Sequence, residues 1–280
     1  DKALVITDSD TQAQKLKSDL NTLGLNAYHY PARDFDFSDS ETQSREYEHQ
    51  RLDILSKIVN SEYDIIVASA DAALQYTVDP ESLKSKIYKL STKDTISPEE
   101  LSQKLLSLGF EREFQVDAVG QFSVRGGIFD IFSPGMPFAA RLEFFGDEID
   151  TISYFDTKSQ RRTENIDSIT IIPCVEILAE EPESIAEKII SLSEKVKGSN
   201  KEKIKNNFTI TADRIKNLKS HVIPDKFISL VYEKPATLLN FFEGKSITFV
   251  LDPINISERI KSIEWQWNED LKFHIKEGNL

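Results

Sequence analysis

The sequence predicts an α/β protein in which a parallel-sheet domain is interrupted by a smaller α+β domain with an antiparallel sheet and followed by a helical extension. Three observations support this prediction. Buried-strand and helical patterns alternate between residues 3 and 74, short alternating strands follow between Phe122 and Ile172, and a further apolar strand comes late, at 245–253. A chain of 280 residues with 39% hydrophobic content can also form two or more domains.

The first unit is predicted from a buried strand at 3–8 (ALVITD) and a helix at 9–24 that Gly24 terminates. A polar loop containing scattered aromatic residues is predicted from Tyr28 to Phe37. A helix over 45–60 and a second buried strand over 64–74 (DIIVASADAAL) then complete a strand–helix pattern that is typical of parallel sheets.

A second unit begins near Leu90. Ser97 is the predicted N-cap of a helix, with Pro98 in its first turn and Glu100 in capping-box position, and Gly109 ends that helix. The alternating strands up to Ile172 predict a mostly antiparallel sheet packed against it.

The last part of the chain is predicted to be helical and rich in Lys and Glu over 181–220, and then to form one more buried strand at 245–253 (KSITFVLDP). A strand of the first type at this late position indicates an insertion. We therefore assign 1–90 and 174–280 to one split α/β domain and 91–173 to the inserted domain. The chain opens on a strand without a Met, so we also expect it to be part of a longer polypeptide.

Charge and cysteine content favour a protein partner in a reducing compartment. The net charge of -13 disfavours generic binding to nucleic acid, which depends on Lys and Arg neutralising phosphates. The single cysteine, Cys174, excludes an intrachain disulfide and suits a structural role in the cytoplasm. The sequence has no apolar run of the roughly 18 residues that a membrane span needs.

Two segments imitate nucleotide-binding motifs. Gly244 to Ser246 (GKS) could end a phosphate-binding loop, but Leu239 stands where that motif needs a glycine, and the tripeptide precedes a strand rather than a helix. ITFVLDP ends on Asp252 like a metal-binding strand, yet Pro253 stands where a catalytic Glu would follow. A structural strand end is the preferred interpretation of both.

Other polar groups have ordinary interpretations. The acidic residues Asp147, Glu148 and Asp150 beside Gly146 are typical of a solvated hairpin tip. The lysines between Lys195 and Lys219 are typical of a solvated helix face. The histidines have no metal-ligand spacing, and they are His29, His49, His221 and His274. We expect no catalytic, cofactor-binding or metal-binding residue in this chain.

The most informative residues are Arg125, Arg141 and Phe145. Strand alternation places Arg141 and Phe145 on one face of a sheet, and Arg125 interrupts the preceding strand just before a Gly-Gly pair. Exposed Arg and Phe side chains have the composition of binding hot spots. Alternatively, Phe145 belongs to the core and the arginines pair with nearby acidic residues; periodicity alone leaves both possibilities open.

The segments GQFSVRGGIFDIFSPG, RLEFFGDEIDTISYFD and SQRR closely resemble the domain-2 signature shared by UvrB and the bacterial transcription-repair coupling factors, the Mfd family. VRGG and SQR favour the Mfd side, and the flanks PARDFDFSDSE, DIIVASADAAL and YEKPATLLNFF extend the resemblance to nearly the whole chain. The resemblance implies a degenerate helicase-like α/β domain, of the P-loop NTPase type, split by domain 2.

The same resemblance implies a non-catalytic module that recruits the repair protein UvrA through domain 2, with Arg125, Arg141 and Phe145 as contact residues. It implies that a C-terminal domain of the parent protein masks this surface at rest, and that RNA polymerase, DNA and ATP-dependent translocation involve domains outside this chain. Two alternatives stay open. One is a UvrB-like module that binds ATP and damaged DNA, which the short Tyr28–Tyr47 region disfavours, and the other is a brace that only restrains the motor.

Overall fold

The computed structural model describes residues 2–34, 44–198, 200–242, 244 and 246–279. Within them, four strands form a parallel sheet, and they are β1 (Ala3–Thr7), β2 (Ala27–Tyr30), β3 (Ile65–Ser69) and β12 (Ile247–Val250). Their order in the sheet is β12-β1-β3-β2. The late strand thus returns to the first sheet, as the sequence predicts, and the α/β class is confirmed.

Helices cover both faces of the central strands. Helix α1 (Asp10–Thr22) packs Ala13 against Val5 and Val67, and α2 (Glu46–Val59) buries its apolar side in the main core on the other face. Gly24 follows α1 with a φ of 83°, a left-handed conformation that glycine adopts without strain. The short helices α3 (Ala70–Leu74) and α4 (Pro80–Ser85) lead out of this layer.

Three local predictions for this sheet were wrong. The chain from Tyr28 to Tyr30 is strand rather than loop, because Ala27 and Tyr30 are buried beside β3; the rest of the predicted loop lies partly outside the described residues. The strand predicted over 64–74 stops at Ser69, whose side chain caps α3. Strand β12 was predicted to be buried but is exposed, since it lies at the sheet edge beside β1 only.

The second sheet has six strands, and they are β5 (Glu111–Arg112), β6 (Gln121–Arg125), β7 (Ile128–Ile131), β8 (Ala139–Phe145), β9 (Glu148–Phe155) and β10 (Arg162–Ile166). Their order is β10-β9-β8-β7-β6-β5, and only the β5–β6 pair is parallel, so the sheet is mostly antiparallel as predicted. Helix α5 (Pro98–Ser107) begins at Ser97, whose hydroxyl accepts the backbone N–H of Glu100. The predicted helix start is confirmed.

The segment at 168–172 was expected in this antiparallel sheet, and that expectation was wrong. Strand β11 (Ser168–Ile171) instead pairs with β4 (Tyr88–Ser91) in a separate two-stranded sheet. Strand β4 precedes the six-stranded sheet in the sequence and β11 follows it. Leu90 of β4 and Ile169 of β11 pack into the core of that sheet. The domain limits at 90/91 and 173/174 stay predictions.

The helical extension forms a third core. Helices α6 (Pro182–Glu194) and α7 (Lys201–Leu218) pack together around Ile189 and Phe208, and α8 (Ile228–Val231) closes that cluster. Two 3₁₀ turns, Asp225–Phe227 and Leu238–Phe242, flank the return to β12. The final helix α9 (Pro253–Glu277) runs from β12 to α7, where Asn207 donates to the carbonyl of Gly278.

Buried charges join these layers. Arg51 of α2 is fully buried and donates to both carboxylate oxygens of Glu176, at 2.6 and 3.2 Å. Arg33, which follows β2, makes two hydrogen bonds to Asp225 of the helical extension, at 2.7 and 2.8 Å. The α/β layer, the segment that follows β11 and the helical extension therefore meet at one polar cluster.

Candidate protein-docking site

The strands β6 to β9 place the predicted contact residues by simple hairpin geometry. Gly126 and Gly127 form a two-residue turn, so that Arg125 lies opposite Ile128 and Ser123 lies opposite Asp130. Gly126 has a φ of 62°, the positive value that such tight hairpins require at the first of their two central residues. A second turn at Gly146 sets Phe145 opposite Glu148.

The two faces of this sheet have different surroundings. One face buries Phe122, Phe129 and Leu142 against α5, with the Phe122 and Phe129 rings stacked at 5.6 Å. The opposite face carries Arg125, Asp130, Arg141, Glu143 and Phe145, and we call it the arginine face. Strand alternation therefore brings the three predicted contact residues to the same face.

Arg125 and Arg141 converge on the carboxylate of Asp130, which is fully buried. Arg141 pairs with it twice, Nε with Oδ1 at 2.6 Å and Nη2 with Oδ2 at 2.8 Å, and the Nη2 of Arg125 reaches Oδ2 at 2.6 Å. The Asp130 hydrogen bond raises the pKa of Arg141 above its already high ordinary value. This ion cluster holds both guanidinium groups in fixed positions.

Further contacts hold Arg141 in place. Its Nη1 donates to the backbone carbonyl of Gln160 at 3.2 Å, its Nη2 donates to the Gln160 side chain at 3.3 Å, and its guanidinium lies 4.5 Å from the Phe155 ring centre. Arg162 pairs with Glu143 on the same face. Such stacked and multiply bonded arginines lose little further entropy when they take part in an interface.

Phe145 differs from the arginines because its side chain points into solvent. It is 84% exposed, at the end of β8 beside the Gly146 turn. The alternative that Phe145 belongs to the core is therefore wrong, whereas the alternative that the arginines pair internally is right. An exposed aromatic ring on the same sheet face as positioned arginines has the chemistry of a protein-docking surface.

The sequence interpretation missed Asp130, Gln160 and a further exposed ring, Phe114. Asp130 could have been found from the Gly-Gly turn, since a two-residue hairpin fixes the register two residues further on. Phe114 is 85% exposed and lies in the segment between β5 and Val116, which packs on Ala139 and Phe155 of the arginine face. No sequence periodicity marks that segment.

The structure also places the weaker candidates. Gly244 precedes strand β12 and not a helix, while Lys245 lies outside the described residues. Asp252 caps α9 by accepting the backbone N–H of Asn255 at 3.2 Å. Asp147, Glu148 and Asp150 are exposed around the hairpin tip, and the lysines between 195 and 219 are exposed too.

The histidines lie apart. His29 contacts Asp10 at 3.0 Å, and the ring of His221 contacts the carbonyl of Ala179 at 2.7 Å. Among the residues that the structure describes, no group of three His, Cys, Asp or Glu side chains could hold a metal ion. The described helices also include none that is long and apolar enough to cross a membrane.

Residues 88–176, which carry the arginine face, match the family model described as the UvrB interaction domain. The match starts at β4 and extends past β11, so that it covers the whole six-stranded sheet together with α5.

Along 99% of its length the chain is similar to the transcription-repair-coupling factor of Bacillus subtilis, at 30% identity over 285 residues. It is 27% identical over 284 residues to the transcription-repair-coupling factor of Staphylococcus aureus strain RF122. The chain spans 24% of the length of each of these relatives. The resemblance drawn from the sequence is thereby confirmed.

Proposed function

We propose that this chain is a non-catalytic module of a transcription-repair coupling factor that docks UvrA through its arginine face. Three observations support the proposal. Residues 88–176 match a domain named for interaction within the UvrB system, the chain aligns with coupling factors over 99% of its length, and Arg125, Arg141 and Phe145 share one face. The observation that carries most weight is the exposed Phe145 on the same sheet face as the ion-paired arginines.

In this proposal Phe145 enters an apolar pocket on UvrA, and the positive charge of the arginine cluster meets acidic groups there through charge-assisted hydrogen bonds. The parallel sheet is a degenerate helicase-like domain that supports the docking domain and uses no cofactor. ATP-dependent translocation and contacts with RNA polymerase and DNA belong to other parts of the parent protein. A C-terminal domain of the parent covers the arginine face at rest.

The test measures the affinity of the purified chain for UvrA by titration calorimetry, with wild type, Phe145→Ala and a matched control. Phe273→Ala is the control, because Phe273 is also a largely exposed Phe but lies on α9. We expect Phe145→Ala to weaken binding about thirtyfold, equal to about 2 kcal/mol for a hot-spot ring. Phe273→Ala should change the dissociation constant less than twofold, and both variants should melt like wild type.

Parallel titrations separate the other functions. UvrB is titrated because the name of the matched family admits it as a partner, and ATP and damaged duplex DNA are titrated because a UvrB-like module would bind them. The proposal would be overturned if the chain bound UvrB, ATP or DNA but did not bind UvrA. A wild-type chain that binds none of them would leave only the brace interpretation.

A further inference from the structure

Arg125 and Arg141 both bind the carboxylate of Asp130, yet they differ in the number of N–H donors that remain available to a partner. A guanidinium carries five N–H donors. Arg141 makes four hydrogen bonds, two to Asp130 and two to Gln160, and its side chain is 12% exposed. Arg125 makes one described hydrogen bond, to Asp130, and its side chain is 37% exposed.

We infer that the two arginines have different tasks: Arg125 contacts the partner, while Arg141 and Asp130 are positioning residues that hold Arg125 in its binding geometry. This inference rests on the proposed docking of UvrA. Arg141 neutralises the buried carboxylate from one side and is locked by Gln160 and by the Phe155 ring. Asp130 in turn accepts one N–H of the Arg125 Nη2, so that one of the two bidentate edges of that guanidinium keeps both of its donors.

Charge balance identifies the chemistry of the partner. The two arginines and Asp130 together carry one net positive charge, and the nearby Arg162–Glu143 pair cancels itself. A single Asp or Glu carboxylate from the partner would complete the cluster. A carboxylate can bind the remaining edge of Arg125 through two parallel hydrogen bonds, which is the geometry that an Arg offers and a Lys does not.

The sheet geometry also sets the spacing of the two contacts. Arg125 lies opposite Ile128, and Ile128 lies opposite Glu143, two residues before Phe145 on β8. Two strand spacings and two residues of rise separate the Cα atoms of Arg125 and Phe145 by about 12 Å. The partner must therefore present its carboxylate at about that distance from the pocket that takes the Phe145 ring.

Chemical modification of arginine tests the inference without any mutation. Phenylglyoxal is applied to the chain alone and to its complex with UvrA, and the modified arginines are mapped by mass spectrometry. We expect Arg125 to react in the chain alone and to be protected at least fivefold in the complex, whereas Arg141 reacts slowly in both. The exposed Arg45 of the α/β domain is the control and should react equally in both.

A double-mutant cycle gives the second measurement. In an Asp130→Asn background there is no buried carboxylate left for Arg141 to neutralise, so Arg141→Gln should change the UvrA dissociation constant less than threefold. Arg125→Gln in the same background should still weaken binding tenfold or more. Thermal unfolding of each variant establishes that it is folded before its affinity is compared.

Three results would overturn the division of tasks. They are protection of Arg141 in the complex, full reactivity of Arg125 in the complex, and a tenfold loss from Arg141→Gln in the folded Asp130→Asn background. If Asp130→Asn does not fold, the modification experiment decides alone. Failure of the wild-type chain to bind UvrA is a different outcome, which removes the proposed function itself.

Discussion

Replacing Glu176 by Gln should be among the most destabilising single changes in this chain. Glu176 follows strand β11 and is fully buried. Its carboxylate accepts two hydrogen bonds from Arg51 and lies 3.4 Å from the Nε of Arg33. Burial pushes the pKa of Glu176 upward, yet the two guanidinium groups outweigh that effect and hold it below its ordinary value. Glu176 is therefore charged in the folded protein at neutral pH.

The Gln side chain has nearly the same shape but no charge, so the substitution leaves the fully buried Arg51 without its counter-ion. Breaking a buried ion pair from one side costs about 3–5 kcal/mol. That is a large share of the roughly 5–15 kcal/mol by which domains are stable. Because Arg33 also bonds to Asp225, the substitution should loosen the helical extension together with the α/β domain.

Urea unfolding followed by circular dichroism and by tryptophan fluorescence measures the loss. The matched control is Glu180→Gln, four residues further along, since Glu180 pairs with Lys86 at 3.3 Å but its side chain is 82% exposed. An exposed pair is worth little, so the control should lower the free energy of unfolding by about 0.5 kcal/mol or less. Equal and small losses in the two variants would refute the idea that the buried cluster holds the layers together.

Two further predictions concern His49 and Gly135. Burial, assisted by the positive charge of Arg45, lowers the pKa of His49 to about 4. The unfolded chain therefore takes up a proton at a higher pH than the folded chain, and His49→Gln should remove about 2 kcal/mol of the stability that wild type loses between pH 8 and pH 5. Equal pH profiles of stability for wild type and His49→Gln would contradict this. Gly135 has a φ of 79°, and an added Cβ would lie 2.4 Å from the Oδ1 of Asp53. Gly135→Ala should therefore lower the free energy of unfolding in urea by about 1–3 kcal/mol. Adding Asp53→Ala should recover part of that loss, and no recovery would show that backbone strain alone is responsible.

Much of the candidate site follows from local sequence patterns. The alternation of β8 puts Arg141 and Phe145 on one face, and the Gly-Gly turn sets Ile128 opposite Arg125 on the neighbouring strand. Exposure does not follow from alternation, because a residue on a sheet face is buried or open depending on what packs over that face. The core interpretation of Phe145 could be rejected only once its ring was seen to lie in solvent.

The ion pairing of both Arg125 and Arg141 with Asp130 likewise depends on the tertiary structure. Its two arginine partners lie on the two strands that flank β7, so the cluster needs all three strands in register, and the Gln160 contact adds the turn before β10. The Arg51–Glu176 pair joins residues 125 positions apart. Pattern analysis works over neighbouring residues and carries no signal for such pairs.

By itself the sequence determined the α/β class, the parallel and antiparallel sheets, the start of α5 at Ser97 and the resemblance to coupling factors, because periodicity, capping residues and turn glycines act over a few residues. Only the tertiary structure decided that β2 is a strand, that β12 is an exposed edge and that β11 leaves the large sheet for β4. Strand pairing and burial depend on which distant segments meet, and this is also why the structure, and not the sequence, distinguished the locked Arg141 from the more accessible Arg125.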